Sequence, residues 1–334
     1  MDLVDHAVEQ GWSARRACRL LEVNDRRVAA WRDRRDGGEA LADAKPGPDV
    51  ALHALLDWEI DAIVGLYDDW AETDASHRKL AHRGSRLDLV HVSESTVYRV
   101  LRAQQLVIPD DRTREPRPKK PWPDWVEYRP LQVWGHDFSA FMAAGVDALV
   151  VADLVSRKWL DTLLVPHGRG TSEHIQAIYT RALDAEGLLP EIEARMVAPN
   201  VDDRLPVLLA VSDNGPQMIS GTTREFMALH ALATHYGRPG VPTDQALIES
   251  FIGHVKAQWP HLEAITDAAT LAAELELVRV EFNTVRLHAG IGYVTPDDEH
   301  LGRGPAIRKA RRDGLAQART KRIAYRRQHH NNRT

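Results

Sequence analysis

Three β-branched, apolar runs follow one another across residues 131–165 with only turn-length breaks, and this closeness constrains the fold more than any other feature of the chain. Leu131 to Met142, Ala148 to Leu154 and Lys158 to Val165 read as successive strands of an antiparallel meander, with Ala144-Gly145 and Ser156-Arg157 at the turns. The apolar period then lengthens. Thr171 to Ala185 reads as a helix ended by Gly187, Val207 to Ser212 as a short buried strand, and Thr223 to Ala233 as a further helix. From Thr243 to Trp259 a helix carries Leu247, Phe251, Val255 and Trp259 at i+4 steps, and Ala268 to Asn283 is the last clear helix. No internal repeat is visible. The order β-β-β-α-β-α-α-α describes an α/β architecture, a mixed sheet flanked by helices, with any fifth strand left unassigned between Ala233 and Thr243.

Three acids fall at informative places in that order. Asp137 lies inside the first strand, Asp213 at the carboxyl end of the fourth, and Glu249 in the second turn of a helix, with 35 residues between the last two. Aspartate is depleted in strands and costly to bury unpaired, so Asp137 calls for a partner or an ion. Asp213 sits in Ser-Asp-Asn-Gly, which is also ordinary strand-exit turn chemistry. Glu249 lies off the apolar stripe and shares a helix flank with Gly253 and Lys256, an arrangement that suits either a DNA backbone or a solvated surface. If a fold gathers the three carboxylates they repel, and divalent magnesium or manganese is the natural counter-charge. Asp153 is a rival in a comparable strand setting, though its position suits a strand end before a turn.

Upstream, the pattern is helical throughout. Ala14, Ala17, Cys18 and Leu21 recur at helix spacing behind Ser13 as N-cap, and Asp25 is the expected cap of a second helix with Val28 and Trp31 inward. Arg26, Arg27, Arg32, Arg34 and Arg35 are left mostly outward, so residues 1–40 read as a helix-turn-helix for DNA or as a plain helical hairpin with a basic face. A second helical or helix-turn-helix region spans 41–110, where Ser93 caps a helix with Val97 and Leu101 inward and Tyr98, Arg99 and Arg102 placed to meet phosphates. A basic, proline-rich linker at 111–125 (RTREPRPKK within it) separates these from a core at 126–300, and a basic tail follows at 301–334. The tail holds eleven Lys and Arg against one acid, Asp313, although the whole chain of 334 residues carries a net −5. Such a tail attracts phosphates in a salt-sensitive way, or remains a solvated extension. The single Cys18 excludes an internal disulfide and suits packing. No apolar run is long enough for a membrane span, and the acidic start is unlike a signal peptide, so the expected location is cytoplasmic, associated with the nucleoid.

Four blocks together resemble a known family: Trp134-Gly-His-Asp137, Ser212-Asp213-Asn-Gly-Pro-Gln217, Asp244-Gln-Ala-Leu-Ile-Glu249-Ser-Phe251 running on to Lys256, and Asn283-Thr-Val-Arg286-Leu-His288 before Thr295-Pro296. They are similar to the signature blocks of the integrase catalytic core, and more narrowly to the DDE transposases of bacterial insertion sequences, relatives of retroviral integrase. The resemblance covers roughly residues 120 to 300 and implies a ribonuclease-H-like fold. It departs at Gln245, where asparagine is usual, and at Phe138-Ser139, where an aliphatic-threonine pair is usual; neither removes a metal ligand. What it implies is a DNA transposase in which Asp137, Asp213 and Glu249 hold two Mg²⁺ or Mn²⁺ ions about 4 Å apart. Element ends are cut to expose a 3′-hydroxyl that attacks target DNA, with double-stranded DNA as partner and a homo-oligomer joining two ends. Lys256, Arg286 and His288 become candidates for positioning DNA, with His288 equally a core or capping histidine. A tyrosine or serine recombinase lacks a suitable nucleophile here, and one cysteine cannot build a retroviral-type zinc module. A nuclease that stops at hydrolysis and a binding protein derived from a transposase are the alternatives.

Overall fold

The computed structural model describes residues 2–42, 51–106, 123, 125–197, 205–236 and 246–330. The expected linker segment Arg112 to Lys120, together with Asp244 and Gln245, lies outside them. The chain divides into two compact units, Met1–Ala54 and Leu55–Thr334. No helix among the described residues is long and apolar enough to cross a membrane.

The first unit holds α1 (Asp2–Glu9), α2 (Ala14–Leu20) and α3 (Asp25–Asp36) around Val4, Ala17, Cys18 and Val28. Ser13 caps α2 as expected, its side chain accepting from the Arg16 N–H. The cap of α3 is Asn24 rather than Asp25: Asn24 keeps an extended backbone and accepts from the Arg26 N–H at 2.9 Å, while Asp25 is already helical. Helix α1 was not expected from sequence. Its Asp5 ties it to α3 by accepting from Arg32 Nε at 2.8 Å and Arg35 Nη1 at 3.0 Å.

In the second unit, α4 (Asp57–Trp70), α5 (His77–Arg86) and α6 (Glu94–Ala103) enclose Ile63, Leu66, Leu80, Val97 and Leu101. Ser93 caps α6. Gly84 in α5 has to be glycine, since a Cβ there would fall 2.7 Å from Leu66 Cδ1. The basic tail is not a loose extension but α13 (Gly304–His330), 27 residues long, folded against these helices. Its inward arginines satisfy groups that a sequence pattern does not link to it. Arg322 binds Glu59, Arg311 donates to the Ala81 and Val92 carbonyls, and Arg326 to the Leu55 carbonyl.

The remainder is a five-stranded mixed sheet of order β3-β2-β1-β4-β5, built from β1 (Val133–Phe141), β2 (Val146–Asp153), β3 (Trp159–Pro166), β4 (Leu208–Ser212) and β5 (Leu232–Tyr236). The first three form the expected antiparallel meander, and β4 runs parallel to both β1 and β5. The missing fifth strand begins inside what reads as the end of a helix. That helix, α9 (Gly221–Leu229), stops earlier because Ala231 takes a left-handed conformation, φ 55°, and turns the chain. One face of the sheet is covered by α7 (Ser172–Ala185), α8 (Leu189–Val197) and α9, packed through Ile175, Ile178, Tyr179, Ile192 and Met227. The other is covered by α10 (Ala246–Gln258) and α11 (Ala268–Thr284), through Phe251, Val255, Leu275 and Phe282. The short α12 (Pro296–His300) leads into α13. This is the ribonuclease-H-like core, a mixed sheet between helical layers, preceded by a helical region.

Candidate active site

Parallel strands β1 and β4 lie side by side in the sheet, with Gly135 level with Val211. Two residues further along each chain, the same register brings Asp137 beside Asp213, just past the end of β4, and the two-residue period of a strand keeps their side chains on one side. The electrostatics agree. Burial first, and then the negative fields of Asp213 and Glu249, push the Asp137 carboxyl up to about 7, against the bond it accepts from the Phe138 N–H at 2.8 Å. The charges that act on Asp137 here are both acidic. Oxygen donors held under mutual repulsion are the donor set a hard divalent cation takes, so the residues fit magnesium or manganese.

Local structure fixes each member differently. Asp213 accepts from the Gly215 N–H at 3.0 Å, an Asx turn, and a Cβ on Gly215 would stand 3.1 Å from that carboxylate oxygen. Glu249 lies in the first turn of the described part of α10 and is exposed, while its neighbour Ile248 is buried. Among the described residues, no three His, Cys, Asp or Glu side chains are drawn close enough to share a metal ion. The trio shares an electric field without forming a closed ligand set.

Behind Asp137, His136 is buried with its Nδ1 2.8 Å from the Tyr179 hydroxyl, which couples β1 to α7. Asp153, the rival acid, is a structural anchor: fully buried, it accepts from the Val155 and Ser156 N–H groups, each at 2.8 Å, at the end of β2. Lys256 donates to the Ala140 carbonyl at 2.7 Å, stands 3.1 Å from Glu263 and lies over the Phe141 ring, so it pins α10 to the end of β1. Arg286 is 7 % exposed, with Nε donating to Gln258 and its guanidinium over Phe282. His288 is a capping histidine, accepting from the Gly290 N–H at 3.2 Å.

The other expected DNA contacts are placed as follows. Arg26 and Arg27 are exposed on α3, Arg27 lying over Trp31. Arg32 is half-buried and held by Asp5, which takes part of its guanidinium out of reach of a groove. Arg99 is exposed on α6 and donates to Thr96 Oγ1 at 3.2 Å. Sequence reasoning passed over Arg78, Lys79 and His254, which face a cleft beside α10. A readable signal existed, since basic residues open α5 where a helix prefers acids.

Residues 230–296 match the family model of the integrase core domain. That stretch holds β5, α10 and α11, and with them Glu249. No curated protein sequence matches the chain. Among solved structures, the catalytic core domain of BIV integrase is 18% identical with a TM-score of 0.36, covering 53% of this chain and 97% of that one. The simian T-cell lymphotropic virus intasome, solved in complex with the PP2A regulatory subunit B56 gamma, is 16% identical with a TM-score of 0.39, covering 67% and 74%. The HTLV-2 integrase catalytic core domain, in complex with magnesium, is 16% identical with a TM-score of 0.35, covering 52% and 97%. At those identities and scores the likeness goes no further than similarity.

Proposed function

We propose that this chain is a polynucleotidyl transferase of the DDE type, a DNA transposase of the insertion-sequence kind that cuts element ends and joins the freed 3′-hydroxyl to target DNA. The observation that carries the reading is the convergence of Asp137 and Asp213 through the β1/β4 register, with Glu249 close enough to raise the charge cost of Asp137. The integrase core match over residues 230–296, which includes Glu249, supports it. When bound at these carboxylates, magnesium or manganese supplies the Lewis acidity that in-line displacement at a phosphodiester needs.

The chain's own residues do the rest. Asp137 and Asp213 present oxygen donors from a rigid sheet, and the Asx turn at Gly215 holds the Asp213 carboxylate in place. Lys256 fixes α10 against β1 and so sets how close Glu249 can come. Double-stranded DNA is the substrate, and joining two ends calls for a homo-oligomer. A second reading, a DNA-binding protein without chemistry, is favoured by one observation: the three acids are not drawn into a closed ligand set.

A joining assay decides between them. Element-end duplexes with flanking genomic DNA, a target plasmid and Mg²⁺ are expected to yield joined product that Asp137→Asn or Asp213→Asn abolishes. Metal-dependent cutting without joining would identify a nuclease, and binding without turnover would identify the second reading.

A further inference from the structure

The ladder between β1 and β4 is short. Its pairs run from Val133 with Leu209 to Gly135 with Val211, and two residues beyond that last pair each chain reaches its acid, Asp137 on one and Asp213 on the other. Past Gly135, β1 keeps β2 as a neighbour as far as Phe141 with Val146, but it has lost β4. The gap between the two carboxylates is therefore set by how far two chain ends splay. Each end has its own clamp. The Asx turn to Gly215 holds Asp213, while on β1 the first residue past the ladder is His136.

His136 is 2% exposed and points to the α7 face of the sheet, opposite to Asp137, as the two-residue period of a strand requires. Its Nδ1 lies 2.8 Å from the Tyr179 hydroxyl, and the two rings meet edge to face with centroids 5.1 Å apart. Tyr179 itself belongs to the apolar layer of Trp134, Ile175, Ile178 and Leu183. Burial there holds the His136 ring neutral, at about 3, and raises the Tyr179 hydroxyl. The arrangement has a cost. His136 Nε2 and Trp134 Nε1, two residues apart on one face, are buried with no hydrogen-bond partner among the described residues. Apolar side chains of the same size would fill this space without leaving polar atoms unsatisfied, so packing alone does not explain a histidine against a tyrosine. What the pair adds is direction: a hydrogen bond selects one orientation of β1 against α7, where apolar contacts admit several.

We propose that His136, held by Tyr179, is a positioning residue for the cation site: it fixes the rotation of β1 about its own axis just past the end of the ladder, and with it the separation of the Asp137 and Asp213 carboxylates. The proposal rests on the reading of those acids as metal ligands. Rotating a strand moves its two faces in opposite senses, so a side chain released at His136 displaces Asp137, one residue on. Magnesium is more sensitive to such a shift than calcium. It demands near-ideal octahedral geometry at about 2.0–2.1 Å, whereas calcium accepts oxygen ligands at about 2.3–2.6 Å in flexible shells.

The test compares the parent, Tyr179→Phe, and the double variant His136→Leu with Tyr179→Phe, all as full chains. Tyr179→Phe leaves the buried His136 ring without its partner, and its urea midpoint is expected to fall. The double variant removes both polar groups and is expected to recover most of that loss. Stability and positioning then part company. Without metal, hydrogen exchange in peptides covering residues 136–141 is expected to stay faster than in the parent in the double variant, with β3 and α11 unchanged. Calorimetric titration, counting only the binding that Asp137→Asn removes, is expected to show Mg²⁺ affinity lower by about tenfold in both variants and Ca²⁺ affinity lower by much less. Parent-like exchange and Mg²⁺ affinity in the double variant would make the pair structural and overturn the proposal, as would equal losses for the two cations. If the parent shows no binding that Asp137→Asn removes, the metal reading itself falls and the proposal with it, a result distinct from parent binding that the variants retain.

Discussion

Arg322, near the end of α13, lays its guanidinium against Glu59 in the first turn of α4, with Nε 2.7 Å from one carboxylate oxygen and 2.9 Å from the other. The two side chains are 10% and 3% exposed, so the pair is sealed from water. Removing one partner of such a pair leaves an uncompensated buried charge and costs about 3–5 kcal/mol. Arg322→Ala is therefore expected to undock α13. Hydrogen exchange should show its amides losing protection while those of the sheet keep theirs, and the double change Arg322→Met with Glu59→Leu should restore much of it. Retained protection in Arg322→Ala would show that the carbonyl bonds of Arg311 and Arg326 are enough to hold the helix.

Lys256 gives a second expectation. Its ammonium is bound to the Ala140 carbonyl and close to Glu263, and hydrogen bonds to charged groups contribute about 1.5–3 kcal/mol. Lys256→Met keeps the packing stem and loses the bonds. Urea unfolding is expected to show a loss in the lower part of that range, with joining activity falling more than DNA affinity, because Glu249 loses its register against β1. A fall in DNA affinity alone, at unchanged stability, would make Lys256 a phosphate contact instead.

Much of the core was legible because its signals are local. The meander at 131–165 follows from Ala144-Gly145 and Ser156-Arg157 at short range, and Asp137 stood out because a strand aspartate has a cost to explain. β5 was hidden because the left-handed turn before it is made by Ala231, with no glycine to announce it. The docking of α13 was invisible for a different reason. Its basic residues read as a solvated phosphate-binding tail, while the partners of Arg311 and Arg322 lie more than 200 residues away in sequence. Asp25 reads as a cap because Asn24 and Asp25 have similar side chains, and only backbone geometry separates them. The cleft at Arg78 and Lys79 needs three distant segments at once, yet the cations opening α5 were a warning in the sequence itself.

Glu186, at the end of α7, sets an acid limit. Burial by itself would raise its carboxyl, but the bonds from His300 and Lys158, each at 2.8 Å, outweigh it and hold the group at about 2, below the ordinary 4.5. A depressed acid contributes stability that is complete above its unfolded value and is lost as pH falls through the folded one. Unfolding free energy is thus expected to drop between about pH 4.5 and pH 2, and Glu186→Gln to flatten that part of the curve. Parallel pH profiles for the two proteins, from urea midpoints at closely spaced pH, would show that another group sets the limit.

Metal binding provides the last expectation, and it separates the acids by their surroundings. Asp137 is half-buried under the fields of two other carboxylates, so the folded chain without cation carries a repulsion that a bound divalent ion relieves. A ligand at a hundredfold its dissociation constant stabilises the folded state by about 2.7 kcal/mol. Saturating Mg²⁺ or Mn²⁺ is therefore expected to raise the melting temperature of the parent by several degrees, and chelation to reverse it. Asp137→Asn should gain stability without metal, since a neutral group replaces a repelled one, and lose the response to metal. Glu249→Gln, at an exposed position, should leave metal-free stability nearly unchanged while reducing the response. An equal rise in parent and Asp137→Asn would place the cation away from the β1/β4 pair, and the acids would then owe their closeness to the sheet register alone.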